Sequence, residues 1–90
     1  MEAKELAELL MQTGHHHHEA YKVSDGADPD WALWYAGYLQ SKIWDKLGAV
    51  PSRSQLVYLL LSAEQHHLNT AKDKEWPPVY AEHILEKLGS

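Results

Sequence analysis

Three side chains in this chain combine residue type and spacing in a way that could do chemistry: His17, Glu64 and His67. Glu64 and His67 stand three apart, the interval at which a bundle helix presents a carboxylate and an imidazole to an interior metal. With His17 as third ligand and water in the remaining position, the set would resemble an open zinc or iron site. A di-iron bundle needs a second Glu-x-x-His helix, and the first two helical segments contain none. The competing reading outweighs the metal: Glu64 and His67 are buried polar groups satisfied by each other and by Tyr or Trp donors, since an unpaired buried charge is costly. A third use is an organic-ligand pocket floored by Trp31, Tyr35 and Tyr38, with the same polar groups converging on it. A histidine beside a carboxylate can also do acid–base work. No nucleophile elbow, Gly-rich phosphate loop or other catalytic signature accompanies it, so the sequence leans away from an enzyme. Tyr21, Asp30 and Lys42 have types that could join such a site, but nothing in their spacing selects them.

The run His15-His16-His17-His18 draws the eye, but four consecutive helical residues point four ways. Only His17 falls centrally on an apolar face; His16 flanks it, and His15 and His18 point outward. His15 with His18 or Glu19 could clasp a surface metal weakly. His66 and His83 lie off the apolar faces and are expected to be solvated.

The elements that must position these groups are helical. Residues 2–22 read as a first helix, with Leu6, Leu10, Thr13, His17 and Tyr21 on one face and Gly14 as a place to bend or break. Residues 28–47 read as a second helix, opened by Asp28-Pro29 and stopped by Gly48. It carries two apolar faces: Ala32, Ala36, Leu39, Ile43 and Leu47, and beside them Trp31, Trp34, Tyr35 and Tyr38. A surface helix needs one stripe of about 100°, so this one is either wrapped on two sides by its own chain or gives one face to a partner. Ser52, with Gln55 three residues on, signals a third helix running to residue 71 or 72. Its expected inward face is Leu56, Val57, Leu60, Ala63, Glu64, His67, Leu68 and Ala71. Pro77-Pro78 opens a fourth helix to Leu88, with Ala81, Ile84, Leu85 and Leu88 inward, Tyr80 flanking, and Gly89-Ser90 as its cap. Short connections favour antiparallel neighbours. The expectation is an all-α fold, a compact bundle of about four helices with the second, aromatic-rich helix central, as a single domain over residues 1–90.

Composition narrows the function. A 90-residue chain has a thin core. With no cysteine, it has no disulfide or thiolate metal site. The formal charge is −5 and no Lys/Arg cluster exists, which argues against nucleic acid. The longest near-continuous apolar run, Leu56–Leu61, is far short of a bilayer span, and the acidic start MEAKELAELL lacks the features of a signal peptide. The expected location is the cytoplasm. Four Trp, five Tyr and no Phe suit half-buried interfaces and pockets better than a dry core.

The segments His17-His18-Glu19-Ala20-Tyr21 and Asp30-Trp31-Ala32-Leu33-Trp34-Tyr35-Ala36-Gly37-Tyr38-Leu39 resemble a small uncharacterised bacterial α-helical family, with paired histidines and a tyrosine followed by D-W-x-x-W-Y-A-x-Y. The resemblance covers about the first half of the chain. It implies that His17, His18, Tyr21, Trp31, Trp34, Tyr35 and Tyr38 belong to one constellation. Lys22 stands where an acidic residue is common in that family.

Two functional expectations result. The leading one is a non-catalytic module that self-associates as a homodimer, or binds a helical protein partner, through its Trp/Tyr surface. The alternative is a small-molecule or metal-binding domain whose pocket, between the first three helices, uses His17, Tyr21, Trp31, Trp34, Tyr35, Tyr38, Glu64 and His67. In its metal form, His17, Glu64 and His67 hold zinc or iron. A small enzyme using the same groups ranks below both.

Overall fold

The computed structural model describes residues 2–24, 27–47 and 51–89, the side chains of 43–47 and of residue 89 excepted. The described residues form four α-helices, α1 (Ala3–Ala20), α2 (Trp31–Leu47), α3 (Arg53–Thr70) and α4 (Trp76–Gly89), with a short 3₁₀ turn at Lys22–Ser24 and no strand. The radius of gyration is 12.5 Å, against about 12 Å for a compact chain of this length.

At the starts of α1, α2 and α3, local chemistry satisfies early N–H groups. At α1 the Glu5 carboxylate accepts the Glu2 N–H at 3.4 Å. At α3 the Ser52 hydroxyl accepts the Gln55 N–H at 3.1 Å, the expected cap. The start of α2 differs from expectation. Asp28, Pro29 and Asp30 form a turn, and the first helical bonds run from Leu33 and Trp34 back to the Asp30 carbonyl. Asp28 therefore stands ahead of the first helical turn; its Oδ1 accepts the Asp30 N–H at 3.0 Å, while its Oδ2 is used elsewhere. Of the bend or break expected at Gly14, the break is absent, because α1 runs unbroken through it. The expected stop at Gly48 and the last cap residue, Ser90, lie outside the described residues, as do the side chains of Ile43 and Leu47.

Packing is cyclic: α1 lies on α2 and α4, and α3 lies on the other sides of α2 and α4. Leu6 and Leu10 from α1, Ala32, Ala36 and Leu39 from α2, Leu56, Leu59, Leu60 and Ala63 from α3, and Tyr80, Ala81 and Ile84 from α4 form one buried cluster. Full burial of each large aliphatic side chain is worth roughly 1.5–3 kcal/mol. The polar Thr13 is tolerated among them because its hydroxyl donates to the Leu9 carbonyl at 2.7 Å. On α3 the buried arc is turned from the expected one. Leu59 joins the core and Leu68 is half exposed, because α3 must face both α2 and α4. Tyr80 is buried where a flanking position was expected. Part of the doubled apolar face of α2 is met by its own chain: Ala32, Ala36 and Leu39 enter the core, and Trp31 and Tyr35 pack against it. Among the described residues no helix is long and apolar enough to cross a membrane.

Candidate functional site

The C-terminal turns of α1 and α3 and the N-terminal turns of α2 and α4 meet at one end of the bundle. There they enclose an open cleft of about 430 Å³. Its walls are His17 from α1, Asp28 from the turn before α2, Trp31 and Tyr35 from α2, Glu64, His67 and Leu68 from α3, and Trp76 and Tyr80 from α4. Five of the eight residues expected to bind a ligand, His17, Trp31, Tyr35, Glu64 and His67, are gathered here. The cleft is not confined to three helices, because α4 supplies one of its walls.

His17 continues the Leu6–Leu10–Thr13 stripe and is itself buried. Its Nε2 lies 3.0 Å from Oδ2 of Asp28, and both side chains are only 7% exposed. An ionised carboxylate can only accept, so His17 Nε2 carries the proton and donates. The His17 hydrogen bond is the main force holding the Asp28 carboxyl below its ordinary value, helped by the Asp30 N–H and the Tyr21 hydroxyl and opposed by burial. Asp28 Oδ1 accepts that Asp30 N–H at 3.0 Å. A residue that sequence reasoning assigned to a helix start is thus the charge partner of the buried histidine.

Aromatic rings surround this pair. His17 stacks on Tyr21 at 4.8 Å, meets Trp34 edge-on at 5.1 Å and leans on Tyr35 at 5.4 Å. In the cleft, Trp31, Tyr35, Trp76 and Tyr80 form a closed ring of neighbours with successive centroid distances of 5.1, 6.3, 5.0 and 6.5 Å. The close approach of α1 to this ring explains Gly14: a Cβ there would sit 3.2 Å from the Tyr35 hydroxyl and 3.4 Å from the Trp76 indole. Burial raises the Tyr35 phenol. Burial, and then the charges of Glu64 and Tyr35, push Tyr80 up to about 12. Both are neutral at physiological pH.

Glu64 and His67 both face the cleft but do not satisfy each other. His67 Nε2 donates to the Lys74 carbonyl at 2.6 Å, tying α3 to the turn that leads into α4. The expected metal set is also not assembled. Among the described residues no three His, Asp or Glu side chains converge on a point that could hold an ion, and His17, Glu64 and His67 line one cleft without forming such a group. His17 and His67 each use Nε2, on the Asp28 carboxylate and the Lys74 carbonyl respectively.

The other expected residues do not line the cleft. Tyr21, Trp34 and Tyr38 border a second depression with Asp30 and Arg53. Trp34 and Tyr38 stack at 5.7 Å, His16 leans on Tyr38 at 5.3 Å, and Lys42 Nζ stands 5.6 Å from the Tyr38 ring. Of the seven residues grouped by the family resemblance, six are joined by these ring contacts, and His18 is exposed beside His15 and Glu19 on the border of another depression. His66 is exposed, as expected, whereas His83 is half-buried. They stack at 5.1 Å, and His83 Nε2 shares a 2.8 Å hydrogen bond with the Ser62 hydroxyl. Burial first, then the neighbouring charges of His66 and Lys87 acting against Glu86, lower the His83 imidazole below its usual value. Sequence reasoning missed Asp28 and Trp76 altogether; the ring-forming Trp/Tyr composition was the signal for the latter.

No family model, no curated protein and no solved structure matches this chain.

Proposed function

We propose that this chain is a non-catalytic binding module that takes a small organic ligand in the end cleft. The observation that supports it is the juxtaposition of the buried His17–Asp28 pair with an open, aromatic-walled cleft of about 430 Å³. Small-ligand sites combine apolar walls with a few convergent polar groups in a space of this size. A hydrogen-bonded polar pair withdrawn from water contributes little net stability to a fold, so its place beside the cleft supports a role in recognition. A fragment screen by ligand-observed NMR tests this. Hits are expected to lose binding in Trp76→Leu and to keep it in Tyr58→Ser, on the exposed outer face of α3. Hits indifferent to Trp76→Leu, or an empty screen, would defeat the proposal.

A second reading, self-association or docking of a helical partner, is favoured by Tyr58, Leu61 and Leu68 of α3, which are 69%, 44% and 50% exposed. They fall within an arc of roughly 80° at helical spacing. Sedimentation of wild type and Leu61→Glu over a concentration series tests it: a wild-type dimer lost in the variant supports the reading, and a monomer throughout removes it.

A further inference from the structure

We infer that the ligand of the end cleft is a compact organic cation, an ammonium group carrying small alkyl substituents. This deepens the reading above and rests on it. Two carboxylates face the cleft, Asp28 and Glu64, and among the described residues no Lys or Arg lines it. Asp28 is engaged by His17. Glu64 is half-buried and makes no hydrogen bond or ion pair with any described residue. Among the described residues no lysine or arginine compensates Glu64, and a cation seated beside it would meet that carboxylate in a partly dry site.

The aromatic walls suit the same ligand. Ring faces of Trp and Tyr attract cations through their quadrupole, and cages of such rings are a recurring way of holding alkylated ammonium groups. Here Trp31, Trp76 and Tyr80 stand around the cleft next to Glu64. The neutral Tyr80 phenol adds a hydroxyl without adding negative charge.

An anion is disfavoured by the same end of the bundle. Helix N-termini attract anions through their free N–H groups, and α2 and α4 both begin here. At α2 the Asp28 carboxylate already occupies that position, accepting the Asp30 N–H. At α4 the first turn holds Pro77 and Pro78, which have no N–H to offer. The C-terminal turns of α1 and α3 lie at the same end, and their carbonyl dipoles offset the N-terminal dipoles of α2 and α4.

The experiment is a titration of the full chain, followed by tryptophan fluorescence and by NMR shifts. It uses tetramethylammonium, with tert-butanol as a neutral group of similar size and acetate as an anion. Tetramethylammonium is expected to saturate, to bind at least about tenfold more tightly than tert-butanol, and to weaken about tenfold in Glu64→Gln. The urea midpoint of that variant serves as its folding control. Should Glu64→Gln fold poorly, the salt dependence of the wild type replaces it: added sodium chloride weakens binding if a carboxylate attracts the cation. Equal affinity for tert-butanol, tighter binding of acetate, or binding indifferent to both Glu64→Gln and salt overturns the cation while leaving the cleft as a binding site. No saturable binding of any of the three overturns the cation and the cleft reading together.

Discussion

Replacing His17 separates the two things it does, hydrogen-bonding Asp28 and filling an aromatic nest. His17→Ala removes both; His17→Gln keeps a donor near the position of Nε2 but loses the ring. The ring packs on Tyr21, Trp34 and Tyr35 at 4.8–5.4 Å. Aromatic pairs are worth about 0.5–1.5 kcal/mol each beyond their buried area, and pairs that share one imidazole do not add fully. We expect a loss of roughly 2–3 kcal/mol from ring packing in both variants. For a domain of this size that is a fall of about 10–20 °C in Tm, at some 4–8 °C per kcal/mol. Urea denaturation at neutral pH measures it. The hydrogen bond is read separately, by following the Asp28 carboxyl carbon by NMR through acid titration. In the wild type Asp28 titrates below 3.8, with His17 as the first cause. A carboxylate depressed in the folded state stabilises the fold above its unfolded value, and that contribution is lost as pH falls through the lower, folded value. In His17→Ala the midpoint is expected to rise toward the ordinary range, whereas in His17→Gln it stays lower. If Asp28 titrates as low in His17→Ala as in the wild type, the hydrogen bond does not hold it and the reasoning about the pair is wrong.

Three further outcomes follow from the same structure. His83 is depressed below 6.5 chiefly by burial, so the unfolded chain binds the proton more readily. Stability is therefore expected to fall as pH drops from 7 toward 5, and His83→Gln should flatten that part of the urea-midpoint profile; an unchanged profile would refute it. Alkaline titration by ultraviolet absorbance should show one tyrosine near 12, shifting down in Glu64→Gln and absent in Tyr80→Phe; five tyrosines titrating together near 10 would refute the buried placement of Tyr80. Gly14→Ala should forgo the roughly 1 kcal/mol gain in helix propensity expected at an open position, because the new methyl meets the Tyr35 hydroxyl at 3.2 Å. Gly14→Val should cost more, and a valine variant as stable as wild type by calorimetry would show that α1 does not approach the ring so closely.

The helices were legible because the apolar period runs clearly through residues that pack. The Leu6–Leu10–Thr13–His17 stripe needs only the spacing of a helix to place His17 inside. The Ser52 cap is equally local, a hydroxyl and an N–H three residues apart. What escaped was tertiary. Asp28-Pro29 reads as a helix start, yet the Asp28 carboxylate turns back 11 residues to His17, a preference that exists only once α1 has docked. Glu64 and His67 do face the same cleft, as their i, i+3 spacing requires. Spacing could not show that the chain returns after seven residues to offer the Lys74 carbonyl to His67 Nε2, nor that His17, Glu64 and His67 fail to converge on one point. Trp76 was invisible for a related reason. It sits at the seam between a charged turn and a helix opened with prolines, and only the folding of α4 against α1 sets it over Gly14. The inward face of α3 was rotated in expectation because one helix was imagined against one neighbour, while two neighbours claim a wider arc that brings in Leu59 and leaves Leu68 half exposed.

The most direct test of the cleft as the binding site is an isotope-edited NOE spectrum of the labelled chain with the tightest fragment or ammonium ligand bound. Contacts from the ligand to the Trp31, Trp76 and Tyr80 rings together, with none to Trp34 or Tyr38, are the predicted result. Contacts to Trp34 and Tyr38 alone, or to the outer face of α3, would place binding elsewhere and contradict it.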